Sequence, residues 1–225
     1  MQTQIDWNSI TSVFLDMDGT LLDLHFDNYF WHEHVPLRYA EKNKLEFNDA
    51  KQKLLARYKS KAGTLEWYCV DYWSQDLDLD IAALKREVSK YIQIFPNVEK
   101  FLVKVKQQDK FIALVTNAHR KSISVKMDHL DLEPYFDKII SSHDFGHAKE
   151  EQAFWQKCMQ AQPFDPDTTL FIDDNLAVLK SAEVYGIKNL LSIKQPDRSQ
   201  PEQDTLHFYG LSNFCLLYTS DAADE

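Results

Sequence analysis

The sequence predicts an α/β fold: a doubly wound parallel sheet with an all-helical insert near its start. After Phe95-Pro96, short apolar runs alternate with helical periodicities, whereas residues 26–93 carry helical periods and no strand-like run. Each apolar run also ends in polar residues capable of chemistry. Alternation of this kind builds a parallel sheet with right-handed crossovers, whose ligands bind beyond the carboxyl ends of the strands.

The first strand is the most informative. Val13, Phe14 and Leu15 run unbroken into Asp16, as in a buried strand that delivers a carboxylate to the sheet edge. Extended backbone puts residues two apart on one side, so Asp16 and Asp18 can face one pocket. Gly19 lets the chain turn sharply, and Thr20 offers a hydroxyl beside bare backbone N–H groups, a combination suited to phosphate. Two carboxylates at this spacing can divide their work if their surroundings push their pKa values apart. One stays ionised as nucleophile or metal ligand, and the other keeps a proton to give away.

The insert follows, with helical periods at 27–42, 47–61, 65–74 and 81–92. Its third period holds Trp67, Tyr68, Tyr72 and Trp73, which suit a core or, against a flat purine, a stacking surface. Val98, Phe101, Leu102 and Val105 then form a helical stripe, and 111–115 reads as a strand ending in Thr116 and Asn117. Next come a helix at 123–130, a short strand in DKIISSHD with Lys149 beyond it, and a helix at 150–160. The strand TLFIDD ends in Asp173 and Asp174, and a helix at 176–185 closes on Gly186. IKNLLSI is the last expected strand, and a final helix begins near Leu211. The pattern divides the chain into a core of 1–25 and 94–214 and a cap of 26–93. From Cys215 onward, CLLYTSDAADE reads like a translated sequencing adapter, so 215–225 is set aside as a non-native tail.

At 225 residues, 44% hydrophobic and 27% charged, the chain is expected to be an ordinary globular protein. A net charge of −10 argues against a nucleic-acid polymer as partner, while an anionic metabolite remains open if a metal and local lysines supply positive charge. No apolar run approaches the roughly 18 residues of a membrane span, and MQTQIDWNSI has no signal pattern, so a cytoplasmic location is expected. Cys69, Cys158 and Cys215 lie outside any CxxC spacing and read as reduced thiols. His32 and His34 would sit on different faces of a helix, as surface residues, and His119 adjoins a strand end.

In order, DMDGT, VTN, the lysine of HAKEE and FIDDN resemble the four motifs of the haloacid dehalogenase (HAD) superfamily, over about residues 13–193. The resemblance implies a Rossmann-like core, a type C1 cap placed directly after the first motif, and Mg²⁺ as cofactor. It also implies roles. Asp16 becomes the nucleophile that forms an aspartyl-phosphate, and Asp18 the general acid/base. Thr116 hydrogen-bonds the phosphoryl group with Asn117 beside it, and Lys149 neutralises charge on nucleophile and phosphate. Asp174 matches the metal-binding acid, and Asp173, where relatives often carry Gly, is a supporting or alternative ligand. Asp16, Asp174 and the backbone carbonyl of Asp18 form an oxygen set that suits Mg²⁺. Asp18 favours phosphate over halide chemistry, because halide leaves without a proton.

Four longer stretches, LLDLHFDNYFWHEHVP, LEWYCVDYWS, TNAHRKSISVKMDH and FGHAKEEQAFW, resemble the bacterial GMP/IMP nucleotidases among the C1-capped enzymes. That implies hydrolysis of purine nucleoside 5′-monophosphates. Candidates to read the base are Asp27, Asn28 and Tyr29 near the pocket and Tyr68 or Tyr72 in the cap. The alternatives are a sugar-phosphate phosphatase, a phosphomutase of the β-phosphoglucomutase type, and an interaction protein with a relic pocket. Complete motifs disfavour the last.

Overall fold

The computed structural model describes residues 5–217. Its six strands form one parallel sheet in the order β3-β2-β1-β4-β5-β6. β1 (Ser12–Leu15) lies between β2 (Phe111–Thr116) and β4 (Thr169–Asp173), with Leu15 in register with Leu114 and Ile172. The residues that follow these partners therefore leave the sheet along one edge. β3 (Lys138–Ser141) and β5 (Asn189–Ile193) extend the sheet on either side.

The central strands are apolar on both faces because both faces are covered. Leu15, Leu114 and Ile172 pack with Phe101 and Leu102 of α7 (Val98–Gln107) and Ile123 of α8 (Arg120–His129). Phe14, Val115 and Phe171 pack with Trp155 of α9 (Gln152–Ala161) and Leu179 of α10 (Leu176–Tyr185). The ends of α10 were written in the sequence. The Asn175 side chain accepts the Ala177 and Val178 N–H groups, and Gly186 closes the helix at φ 116°.

Between β1 and β2 lies the helical insert: α1 (His25–Tyr29), α2 (Val35–Asn43), α3 (Phe47–Lys61), α4 (Leu65–Tyr68), α5 (Val70–Leu77) and α6 (Ile81–Glu87). α1 runs into α2 through a π-turn over Phe30–His34, so the expected 27–42 helix is one run widened in its middle. The expected 65–74 helix instead breaks at Cys69, whose extended backbone separates α4 from α5. The 81–92 period ends early, at Glu87, and a 3₁₀ turn over Ser89–Tyr91 follows. Trp73 is buried against Trp31, Tyr58 and Trp67, with ring centroids 5.9, 5.1 and 6.2 Å away, so this aromatic cluster is chiefly core.

IKNLLSI is not the last strand. β6 (Tyr209–Leu211) adds to β5, and where a helix was expected from Leu211 the chain ends a strand and forms a 3₁₀ turn over Phe214–Leu217. β6 has no apolar run to betray it. Its centre is Gly210, where a Cβ would meet the Lys194 side chain at 2.8 Å. Phe214 and Leu217 are buried, the former 5.1 Å from the Phe101 ring, and residues 218–225 of the expected tail lie outside the described residues. No helix among the described residues is long and apolar enough to cross a membrane.

Candidate active site

Asp16 leaves β1 nearly buried, its N–H donating to the Ile172 carbonyl at 3.0 Å. The turn after it closes on itself. Leu21 and Leu22 N–H groups donate to the Met17 carbonyl, and Gly19 N–H donates to Leu22 O at 2.7 Å. The Gly19 N–H, one of the donors expected to serve phosphate, is thus spent within the turn. Gly19 and Thr20 also lie outside the cavity wall. Gly19 sits at φ 78°, where a Cβ would lie 2.5 Å from Asp174 Oδ2, so glycine is what lets Asp174 close against the turn. Thr20 is fully buried, and its hydroxyl has no hydrogen-bond partner.

Lys149 is the buried hub. Its Nζ donates to Asp16 Oδ1 at 2.5 Å, to Asp173 Oδ2 at 2.6 Å and to the Val115 carbonyl at 3.0 Å. Asp173 is held at both oxygens, since its Oδ1 accepts the Asn175 N–H at 2.8 Å. Carboxylate oxygens of Asp16, Asp173 and Asp174 all lie within 4.8 Å of one another. Burial pushes the Asp16 pKa up to about 6 despite the Lys149 ammonium, and Asp173 adds to the rise. Asp174 is pushed well above the usual carboxylate range by burial and then by Asp173 and Asp16. Thr116 Oγ1 accepts the Ala118 N–H at 3.1 Å, fixing the loop after β2.

Asn117 ties this centre to the insert. Its Oδ1 accepts the Lys149 N–H at 2.8 Å and its Nδ2 donates to Glu150 Oε2 at 2.9 Å, while the Tyr68 hydroxyl of α4 donates to Glu150 Oε1 at 2.7 Å. Tyr68 therefore lines the cavity and bonds the core, whereas Tyr72 does not. Val70 faces the cavity, and two residues further along α5 the side chain points roughly 200° around the helix, against Trp73 and the Lys61 ammonium. Tyr29 is likewise off the wall, packed on Tyr91 at 4.6 Å.

A second line of charge went unseen in the sequence. Lys126 of α8 donates to Asp18 Oδ1 at 2.5 Å and to Asp27 Oδ2 at 2.6 Å, and Lys85 of α6 donates to Asp27 Oδ1 at 2.7 Å. Burial alone would raise the Asp27 pKa, but these two lysines pull it down to about 2. Asp27 is thus a fixed anion between two cations, and it lines the cavity. Burial, with Asp27 and Asp16 nearby, lifts Asp18 to about 6 against the pull of Lys126. Asn28 lines the cavity with its Nδ2 donating to Asp197 Oδ2 at 2.7 Å. His32 also lines it, whereas His34 is buried against Glu87 at 2.9 Å instead of lying on the surface.

All the strand-end residues meet in one cavity of about 270 Å³: Asp16, Asp18, Thr116, Asn117, Lys149, Asp173 and Asp174 form the core side. Trp31, Trp67, Tyr68 and Lys85 contribute from the insert. A carboxylate centre bridged by a buried lysine, at the strand ends of a doubly wound sheet and beside a helical insert, defines an α/β hydrolase of the phosphatase class. Residues 13–191 match the haloacid dehalogenase-like hydrolases, and the chain belongs to that family. It is 37% identical over 220 residues to the GMP/IMP nucleotidase YrfG of Escherichia coli K12, covering 98% of this chain and 99% of that protein. A glyceraldehyde 3-phosphate phosphatase of Pyrococcus furiosus is 22% identical over 200 residues, covering 80% of this chain and 78% of that protein. Among solved structures, a HAD phosphatase from Thermococcus onnurineus shares the fold with a TM-score of 0.78 at 19% identity, over 96% of this chain and 99% of that one.

Proposed function

We propose that the chain is a Mg²⁺-dependent 5′-nucleotidase that hydrolyses the purine nucleoside monophosphates GMP and IMP through an aspartyl-phosphate on Asp16. The observation that carries this reading is the Lys149 bridge between Asp16 and Asp173, with Asp18 and Asp174 lining the same cavity. The substrate class is supported by the near full-length likeness to a GMP/IMP nucleotidase.

The donor set fits Mg²⁺. Asp173 is bonded by Lys149 and the Asn175 N–H, whereas Asp174 is a half-buried carboxylate whose ionisation is opposed by two others, the situation a hard divalent cation relieves. Asp16, Asp174 and the Asp18 carbonyl would hold it, and it would neutralise charge on the phosphoryl oxygens. Asp16 attacks phosphorus in line, with Lys149 holding its carboxylate in place. The bond from phosphorus to the ribose 5′ oxygen breaks, and Asp18 gives that oxygen its proton. In the second step Asp18 takes a proton from water, the water attacks phosphorus, and phosphate leaves with Asp16 regenerated. A pKa near 6 makes both protonation states of Asp18 accessible close to neutrality.

Residues 26–93 act as the cap over a core of 1–25 and 94–214. Trp31 and Trp67 lie nearly parallel on the cavity wall, with centroids 6.4 Å apart and planes at 28°, and supply apolar surface for a purine. A panel of GMP, IMP, AMP and hexose and pentose phosphates, assayed with Mg²⁺ and with EDTA, tests the reading. The 6-oxopurine nucleotides should have the highest kcat/KM and EDTA should abolish turnover. A sugar phosphate at the head of the panel would overturn the substrate assignment.

A further inference from the structure

Cys69, the residue that separates α4 from α5, meets two histidines of the core. One ligating atom each from Cys69, His119 and His143 lies within 4.8 Å of the other two. His119 precedes α8, and its Nδ1 faces the Lys121 N–H at 3.3 Å, so ligation through Nε2 moves the ring proton to Nδ1 and gives up that long contact. That Nε2 lies 3.7 Å from Asp71 Oδ2. His143 stands edge-on to His119 with centroids 4.8 Å apart, and its Nε2 is buried without any hydrogen-bond partner. Burial, together with His119, pushes the His143 pKa down to about 4, so at neutral pH the ring is in the uncharged form that binds metals. The His143 ring lies beside a second imidazole and a thiol, and a nitrogen buried there without a well-formed bond is costly unless something binds.

We infer that Cys69, His119 and His143 form a site for a borderline-soft divalent cation of the Zn²⁺ type, fastening the insert to the core. Zn–S and Zn–N bonds of about 2.3 and 2.0 Å put tetrahedral ligands about 3.5 Å apart, so the trio closes by roughly 1 Å through side-chain rotation. Asp71 or a water takes the fourth position, and the Cys69 thiol releases its proton to solvent on ligation. The two centres are sorted by donor chemistry: carboxylates and carbonyls suit Mg²⁺, thiolate and imidazole suit Zn²⁺. The site also has leverage on the cavity. Cys69 follows Tyr68 and His119 lies two residues past Asn117, and both of those neighbours bond Glu150. An ion here therefore holds the insert against the core and slows exchange of substrate and product.

Cobalt(II) added to the full chain in excess Mg²⁺ tests the site. One equivalent should give tetrahedral d–d bands and a thiolate-to-cobalt charge-transfer band, displaced by Zn²⁺. The Cys69 sulfur accepts the Tyr72 N–H at 3.4 Å, a bond a serine hydroxyl can keep, so Cys69→Ser should lose only the thiolate band, and His143→Ala should weaken binding by about tenfold or more. Asp174→Asn should change neither band. Absence of the thiolate band in the natural chain, or its persistence in Cys69→Ser, overturns the site. Should either variant fail to fold, alkylation of the natural chain decides: one equivalent of Zn²⁺ should protect Cys69, and equal labelling with and without Zn²⁺ contradicts the assignment. The closing role rests on the proposed phosphatase activity. In excess Mg²⁺, Zn²⁺ should inhibit aryl phosphate hydrolysis by the natural chain at least about tenfold more strongly than by Cys69→Ser. Equal inhibition overturns the closing role. A chain with no hydrolysis at all, yet with the cobalt bands, counts against the phosphatase reading and supports the site.

Discussion

Gly19 sets how near Asp174 can come to the catalytic turn. At φ 78°, an added Cβ would be strained and would lie 2.5 Å from Asp174 Oδ2, so Gly19→Ala must displace the Asp174 carboxylate, the proposed metal ligand. The Mg²⁺ concentration for half-maximal activity should rise by about tenfold or more, with roughly 1–2 kcal/mol lost in denaturant unfolding. An unchanged Mg²⁺ activation curve would contradict the ligand assignment of Asp174. The acids themselves were legible, because a carboxylate straight after an apolar run has few other reasons to be there. Lys126 and Lys85 were not, because lysine on a helix is normally solvated. Their signal was position: Lys126 lies three residues from Ile123, and Lys85 four from Ile81, both on the buried face of their helices. A lysine on an apolar stripe calls for a buried anion, which here is Asp27 between the two.

The short helix α4 carries one contact by which the insert touches the loop that bears Lys149 and Glu150. Burial and the Glu150 carboxylate hold the Tyr68 pKa above its usual value, so the hydroxyl remains a donor. Tyr68→Phe removes the bond to Glu150 and loosens Asn117, and KM for GMP should rise roughly fivefold, about 1 kcal/mol. Tyr72→Phe should leave KM unchanged, because its ring packs on Trp73 off the cavity wall. Equal effects of the two substitutions, measured as steady-state KM, would contradict this division. The break at Cys69 that turns α5 away was invisible to sequence reading, since neither Gly nor Pro marks it and the aromatic spacing continues across it. β6 was hidden for the opposite reason, being three residues long with a glycine at its centre. Helix α10 was readable at both ends because Asn175 and Gly186 are local signals whose physics needs no tertiary partner.

For the whole molecule, the charge collected in the cavity should govern how stability depends on pH. Asp16 and Asp18 are lifted to about 6 and Asp174 is also raised, so the metal-free folded chain holds protons that the unfolded chain releases. That contribution is full below the unfolded value of 3.8 and is lost as pH rises through about 6. Asp27, lowered to about 2, acts the other way, but its contribution disappears only as pH falls below 3.8. Mg²⁺ competes with the cavity protons, so its thermal stabilisation should be larger at about pH 8 than at about pH 5. An equal or larger shift in Tm at the lower pH would contradict the carboxylate site. The central claim is the two-step reaction through Asp16, and intact-mass analysis of Asp18→Asn during turnover of an aryl phosphate tests it most directly. The activated leaving group departs without a proton donor, while hydrolysis of the phospho-enzyme slows by roughly 10² to 10⁴ for want of a base. One phosphoryl group should therefore accumulate, on Asp16, and GMP turnover should nearly stop. Wild-type rates on both substrates, with no phospho-enzyme at any time, would contradict the account.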